Sequence, residues 1–238
     1  DNLRLDQWEV IEPIIEEYFS IEKKTNYFSI LPTATQYARN ALFSGMTPLD
    51  MSKKHPNLWV GEDQEGGKNK HEKELLEAYF SHSRSGTKVD YHKIITNEQG
   101  HDLNQKFLNT QNYNLVAVVY NFVDMLSHAR TDMKMIKELA ADESAYRSLT
   151  KSWFEHSPLL ELLKKIAESG NEVVITTDHG TKRVSSPYKI IGDKSVNTNL
   201  RYKQGKNLSL KEKGVFMMHD PEEYMLPKVN VSSKYAFT

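Results

Sequence analysis

Apolar residues recur at Trp8, Ile11, Ile14, Ile15, Tyr18 and Phe19, three and four positions apart, which predicts an amphipathic helix over residues 8–24. The next apolar run, Tyr27-Phe28-Ser29-Ile30-Leu31, is short and rich in β-formers, and Pro32 ends it, so it reads as a strand. Good helix formers follow over 36–43, with Gly45 as the stop. Residues 61–73 are almost wholly charged or glycine and read as an exposed charged loop. A short amphipathic helix is expected over 74–80, a strand over 89–95 and a helix over 103–108.

Two later runs are nearly continuous in apolar or β-branched residues, 115–122 and 172–177, as parallel strands buried on both faces require. Two helical patterns lie between them, 133–143 and 146–169, the second stopped by Gly170. Strand, helix and strand in this order predict a βαβ unit and an α/β fold. Past Gly192 the pattern weakens, with one further strand expected over 214–218.

Composition narrows the function. The chain has 238 residues, enough for one large domain or two small ones. No run approaches the roughly 18–20 apolar residues of a membrane helix, so no membrane partner is expected. The first residues lack a basic n-region followed by an apolar h-region, so no signal peptide is expected. With no cysteine, a disulfide scaffold, a thiol nucleophile and a Cys-ligated metal are excluded, and a cytoplasmic location fits. The net charge of −1 argues against a generally basic nucleic-acid coat. It leaves room for a local basic stretch over 197–213, where Arg201, Lys203, Lys206, Lys211 and Lys213 surround Tyr202. That stretch is either a solvated loop or a track for a phosphate backbone, with Tyr202 stacking one base.

Ligands of open α/β sheets bind at the carboxyl ends of strands. Both buried runs end in metal-type residues: Asp124 with His128 four residues on, and the adjacent pair Asp178-His179. Each pair offers a carboxylate oxygen and an imidazole nitrogen, a combination that suits zinc and, less well, manganese. The segment from Pro32 to Asn40 opens a helix, where a hydroxyl at Thr33 or Thr35 meets N–H groups that favour anions. Either threonine also serves as an ordinary N-cap. Arg39 and Asn40, within the next turn, are candidates for gripping a phosphate oxygen.

Together these segments resemble the alkaline phosphatase superfamily, specifically its PglZ branch and the output domain of PorX-type bacterial response regulators. Asp1-Asn2-Leu3-Arg4-Leu5-Asp6 is similar to the first metal-ligand motif, Thr35 to the nucleophile, Asp124 with His128 to the second ligand pair, and Thr177-Asp178-His179-Gly180 to the signature of the superfamily. The resemblance implies a three-layer sandwich around a mostly parallel central sheet, a single domain over 1–238 that continues past both ends, and two zinc ions. Asp1, Asp178 and His179 hold one zinc beside Thr35; Asp124 and His128 hold the other with a third ligand, a histidine near the family's C-terminus. The last histidine here is His219, and its setting, Met217-Met218-His219-Asp220, departs from that motif, so the second site is expected to lack a ligand.

The activity implied is phosphoester hydrolysis with Thr35 as nucleophile, Arg39 and Asn40 on the substrate, and nucleotide or short-oligonucleotide phosphodiesters as substrates. The setting implied is two-component signalling, including regulation of type IX secretion, with a receiver domain in the parent chain and a homodimer as partners. The competing reading is a zinc-stabilised output module that binds a partner or dimerises with little turnover.

Overall fold

A computed structural model describes residues 1–61, 64, 67–84, 86–192, 196, 197, 199, 201–209 and 214–237. In chain order the elements are α1 (Leu5–Glu16), α2 (Thr35–Ser44), α3 (Pro48–Lys54), α4 (Glu72–Ser83), β1 (Val89–Ile94), α5 (Asn97–Gln105), α6 (Phe107–Thr110), β2 (Leu115–Tyr120), α7 (Phe122–Asp132), α8 (Lys134–Leu139), α9 (Glu143–Glu155), α10 (Pro158–Ser169), β3 (Tyr202–Gly205), β4 (Phe216–Met218), a 3-10 turn (Pro221–Tyr224) and β5 (Lys234–Phe237). The chain divides into two compact units, Asp1–Phe28 with Gly86–Thr181, and Ser29–Ser85 with Lys182–Thr238.

In the first unit β1 and β2 pair in parallel, from Val89 opposite Leu115 to Ile94 opposite Tyr120. The crossover between them is α5 and α6, so the βαβ unit precedes the one expected. Residues 172–177 form no described strand, and Val174 is 89% exposed. β-branched composition suits a pleated, half-buried surface, and without a paired neighbour it does not make a strand. The same correction applies to residues 27–31, where no strand forms and Phe28 is fully exposed.

The first unit has two apolar clusters. The apolar stripe of α1 works as its spacing predicts: Ile11 and Ile15 bury against Phe154, Leu160 and Leu163 of α9 and α10, with Trp8, Ile14 and Phe19 around them. The helix ends at Glu16, short of residue 24, because the segment after Phe19 carries too few apolar residues to extend the stripe. Ile94, Leu103, Phe107 and Leu162 join the sheet to α5, α6 and α10.

The pattern at 146–169 is two helices, because Pro158 cannot donate to the preceding turn. Proline instead occupies the first helical position of α10, and Ser157 Oγ caps it by accepting from the Leu160 N–H at 3.3 Å. Gly170 ends α10 at φ 72°, the left-handed conformation glycine adopts without a Cβ penalty.

In the second unit β3, β5 and β4 form an antiparallel sheet in that order. Its core is Ala34, Tyr37, Tyr202, Met218, Leu226 and Tyr235, with Trp59 and Phe237 packed alongside. Tyr202 is therefore a core residue, 3% exposed, and cannot stack a base. Residues 62, 63, 65, 66, 198, 200 and 210–213 of the two charged stretches lie outside the described residues, while Glu72 and Lys73 open α4. Helices with a small parallel sheet make the fold α/β. The described strands form two sheets, rather than one mostly parallel sheet. No described helix is long and apolar enough to cross a membrane.

Gly100 in α5 lies tight against the start of α10: a Cβ there would stand 2.7 Å from Pro158 Cβ. The proline ring is rigid, so Gly100→Ala is expected to destabilise the protein by about 1–3 kcal/mol despite alanine's better helix propensity. Urea unfolding measures the change; an unchanged midpoint would show that the two helices separate freely.

Candidate metal centre

Asp1, Asp178 and His179 converge in the first unit, each offering one ligand atom, all within 4.8 Å of one another. The backbone builds this convergence. The Asp1 backbone nitrogen donates to the carbonyl of Tyr120, the last residue of β2, at 3.2 Å, which anchors Asp1 at a strand's carboxyl end. Asn2 then turns left-handed at φ 60°, a conformation asparagine tolerates better than most residues. Its N–H donates to Asp178 Oδ1 at 3.0 Å, and its Nδ2 donates to Asp124 Oδ1 at 3.2 Å. Leu3 N–H donates to Thr177 Oγ1 at 3.0 Å, whose hydroxyl donates to the His179 carbonyl at 2.9 Å. The Tyr27 hydroxyl donates to the Thr177 carbonyl.

His179 Nε2 lies 3.8 Å from Asp1 Oδ1 and 3.7 Å from Asp178 Oδ2, with all three side chains buried. Two ligands of a tetrahedral zinc at ordinary bond lengths stand about 3.4 Å apart, so these donors need close by only a few tenths of an ångström. Two carboxylates buried together repel, and a divalent cation reverses the sign of that interaction. Asn2 Oδ1 is buried with no hydrogen-bond partner, a cost of about 1–3 kcal/mol unless a water or ligand meets it. The donor set fits a divalent metal.

Asp124 and His128 lie on α7, and His128 Nε2 is 3.4 Å from Asp124 Oδ2. The pair shares one helical face, as its spacing predicts, with the His128 side chain 71% exposed. No third donor joins it among the described residues, and His219 is exposed in the second unit. Asn2 links this pair to the buried cluster through Asp124.

Thr35 belongs to the second unit and opens α2. The N-cap is Ala34, without a side-chain cap, so capping does not account for the hydroxyl of Thr35. Arg39 and Asn40, read as substrate-binding, both face structural partners. Arg39 Nε donates to Glu72 Oε1 at 2.6 Å in an ion pair with both side chains almost fully buried. Asn40 Nδ2 donates to the Lys68 carbonyl, and its Oδ1 accepts from Asn69, whose Nδ2 also reaches the Thr35 carbonyl at 2.9 Å. These contacts fasten the first turns of α2 to 68–72.

A family model described as the BREX system PglZ alkaline phosphatase-like domain matches residues 1–231. The chain belongs to the PglZ family. Its description points to phosphoesterase-type hydrolysis, and the Asp/His cluster agrees with the metal dependence typical of alkaline phosphatase-like domains. The matching description names the BREX system, not a response regulator. No curated protein matches the chain.

Residues missed in the sequence of this PglZ domain are those around the ligands, Asn2, Thr177 and Tyr27, and Asn69 beside Thr35 and Asn40. Only the Asp-Asn dipeptide signals one of them, since asparagine favours the left-handed turn. Further from the cluster, Arg4 makes a bidentate contact with Asp6 at 2.5 and 2.8 Å and reaches Glu143 at 2.5 Å. Arg147 joins Asp6 at 3.2 Å, and Arg130 joins Glu143 at 3.0 Å. This network ties the segment after Asp1 to α7 and α9. Burial raises the Asp6 and Glu143 carboxyls, but the hydrogen bonds and charges of their arginine partners outweigh it and hold both below their ordinary values.

The folded state therefore binds fewer protons at Asp6 and Glu143 than the unfolded chain. Their contribution is complete above the ordinary carboxylate range and is lost as pH falls through the lowered values. Thermal melts between about pH 6 and pH 3 are expected to fall less steeply for Asp6→Asn than for the parent. Both carboxyls are about a third exposed, so the difference is about 1 kcal/mol or less after solvent screening. Parallel curves would show that the network is not coupled to folding.

At the cluster, Asp178→Asn keeps an oxygen acceptor for the Asn2 and His179 N–H groups while removing the charge. Zinc is expected to raise the melting temperature of the parent and to leave that of the variant almost unmoved, with affinity down about a hundredfold. Equal zinc-induced shifts would exclude Asp178 as a ligand.

Proposed function

We propose that this PglZ domain is a zinc-dependent phosphoesterase in which Asp1, Asp178 and His179 hold one zinc ion and Thr35 is the nucleophile. Asp124 and His128 contribute to a second zinc site that draws its remaining ligand from outside the pair. One observation carries the reading: three buried donors from the two ends of the first unit's sequence come within 4.8 Å, laced together by Asn2. Zinc bound there supplies Lewis-acid stabilisation of negative charge on oxygen, without redox chemistry.

The work of the chain is then specific. Asp1, Asp178 and His179 set the ligand positions, and Asn2 keeps Asp178 and Asp124 oriented. Thr35 Oγ1 attacks phosphorus as its P–O bond forms and the bond to one leaving alkoxide breaks; the threonine proton goes to solvent, the alkoxide leaves as its alcohol, and the other ester group stays on the phosphorus now bound to threonine. Water attacks that phosphorus next, releasing a phosphate monoester and restoring the hydroxyl. The Arg39–Glu72 pair and the Asn40–Asn69 contacts keep the first turn of α2 from shifting, which supports in-line geometry. Phosphodiesters of nucleotides or short oligonucleotides are the substrate class we infer, with exposed Lys206 after β3 available to a phosphate backbone. A signalling output role beside a receiver domain belongs to the same reading.

A binding module with little turnover is the second reading, favoured by the two-donor state of Asp124 and His128. Thr35→Val separates the two, because valine preserves shape and removes the hydroxyl. Hydrolysis of bis(p-nitrophenyl) phosphate is expected to fall by about a hundredfold or more, with zinc content and melting temperature retained. A variant as fast as the parent would remove Thr35 from the chemistry, and a parent with no measurable hydrolysis in zinc would favour the binding module.

A further inference from the structure

The second unit holds a cavity of about 390 Å³, near the lower end of the range for small-ligand sites. Trp59, half-buried, gives it aromatic surface, and its ring meets that of the fully buried Tyr37 edge-on, 5.6 Å between centroids at 63°. Gln204, 4% exposed, lies on β3 directly opposite Tyr235 on β5 and also lines the cavity.

Hydrogen bonding determines which way the Gln204 amide is turned. The Pro227 carbonyl can only accept, so the Tyr235 hydroxyl donates to it, at 3.1 Å. The Tyr235 oxygen then accepts from Gln204 Nε2 at 2.8 Å. Gln204 Oε1 is left buried with no hydrogen-bond partner, an acceptor that a ligand N–H would satisfy. Lys53 and Lys228, which also line the cavity, pair with Glu222 at 3.2 and 3.9 Å, and Lys228 pairs with Asp220 at 2.8 Å, so these charges are matched by their neighbours.

We propose that this cavity binds a nucleobase carrying an exocyclic amino group, its ring against Trp59 and its N–H on Gln204 Oε1. Aromatic surface contributes sequence-tolerant stacking, and a buried unpaired acceptor selects for a donor at the ring edge. The volume suits one base or nucleoside rather than a strand. Every residue involved belongs to the second unit, so the proposal does not rest on the phosphoesterase reading.

The test uses the full chain in EDTA, so that binding is read apart from metal and turnover. Trp59 is the one tryptophan of the second unit, and Trp59→Phe identifies its part of the fluorescence. Adenosine is expected to quench it saturably, and purine riboside, which differs only in lacking the 6-amino group, to bind about tenfold more weakly. Gln204→Leu is expected to bind the two nucleosides equally, with its melting temperature reporting the fold. Short oligoadenylate distinguishes the source of the base: affinity above the statistical gain from repeated bases assigns the site to an oligonucleotide, and affinity equal to that of adenosine assigns it to a free nucleoside. Absence of saturable quenching, or equal affinity of the parent for adenosine and purine riboside, overturns the proposal whether or not the protein hydrolyses phosphoesters.

Discussion

Burying two carboxylates beside one imidazole is the constraint from which the chemistry of the first unit follows. Asp1 and Asp178 bring two carboxylates within 3.8 Å of the His179 imidazole, all three side chains buried. Proteins rarely hold such an arrangement without a use for it. The backbone around them is correspondingly elaborate. A left-handed asparagine, two donors onto Asp178 Oδ1 and a hydroxyl bridge through Thr177 keep the groups oriented. Orientation of this kind is what a metal site needs from the residues behind its ligands.

The buried pair of the second unit is the contrast. Arg39 and Glu72 are as inaccessible as the Asp/His cluster, yet they balance, one cation against one anion at 2.6 Å. Such a pair is weak evidence for net stability, but removing either partner strands a charge. Its effect is to fix α2 against α4 and so fix where Thr35 sits within its own unit. Polar burial thus does two jobs in this chain. One set pairs a cation with an anion and positions a helix; the other gathers two carboxylates and an imidazole, a donor set that a divalent cation would suit.

Much of this was legible from sequence because short-range chemistry decided it. The α1 stripe, the Gly45 and Gly170 stops, β1, β2 and β4 follow from spacing and residue type. The pairing of Asp178 with His179 and of Asp124 with His128 follows from motif order. What failed was whatever depended on a neighbour. Residues 172–177 and 27–31 have strand composition and no described ladder, since β-propensity is realised only against a partner. Tyr202 sits in a basic stretch and looked exposed, but strand alternation sends its ring into the core with Tyr37 and Tyr235. Nothing near Arg39 in sequence signals its ion pair with Glu72, 33 residues away.

Asn2 shows why ligands are easier to read than the residues that hold them. A carboxylate or imidazole advertises its chemistry in any context. An asparagine becomes important only through a backbone angle and two acceptors, Asp178 and Asp124, that are 176 and 122 residues away. Its side chain and its N–H serve different ligands, so a single residue couples the buried cluster to the more exposed pair on α7. A shift of Asp178 would reach Asp124 through Asn2. The bridge gives the two sets of donors one shared partner, which is the arrangement that a site drawing on both would need.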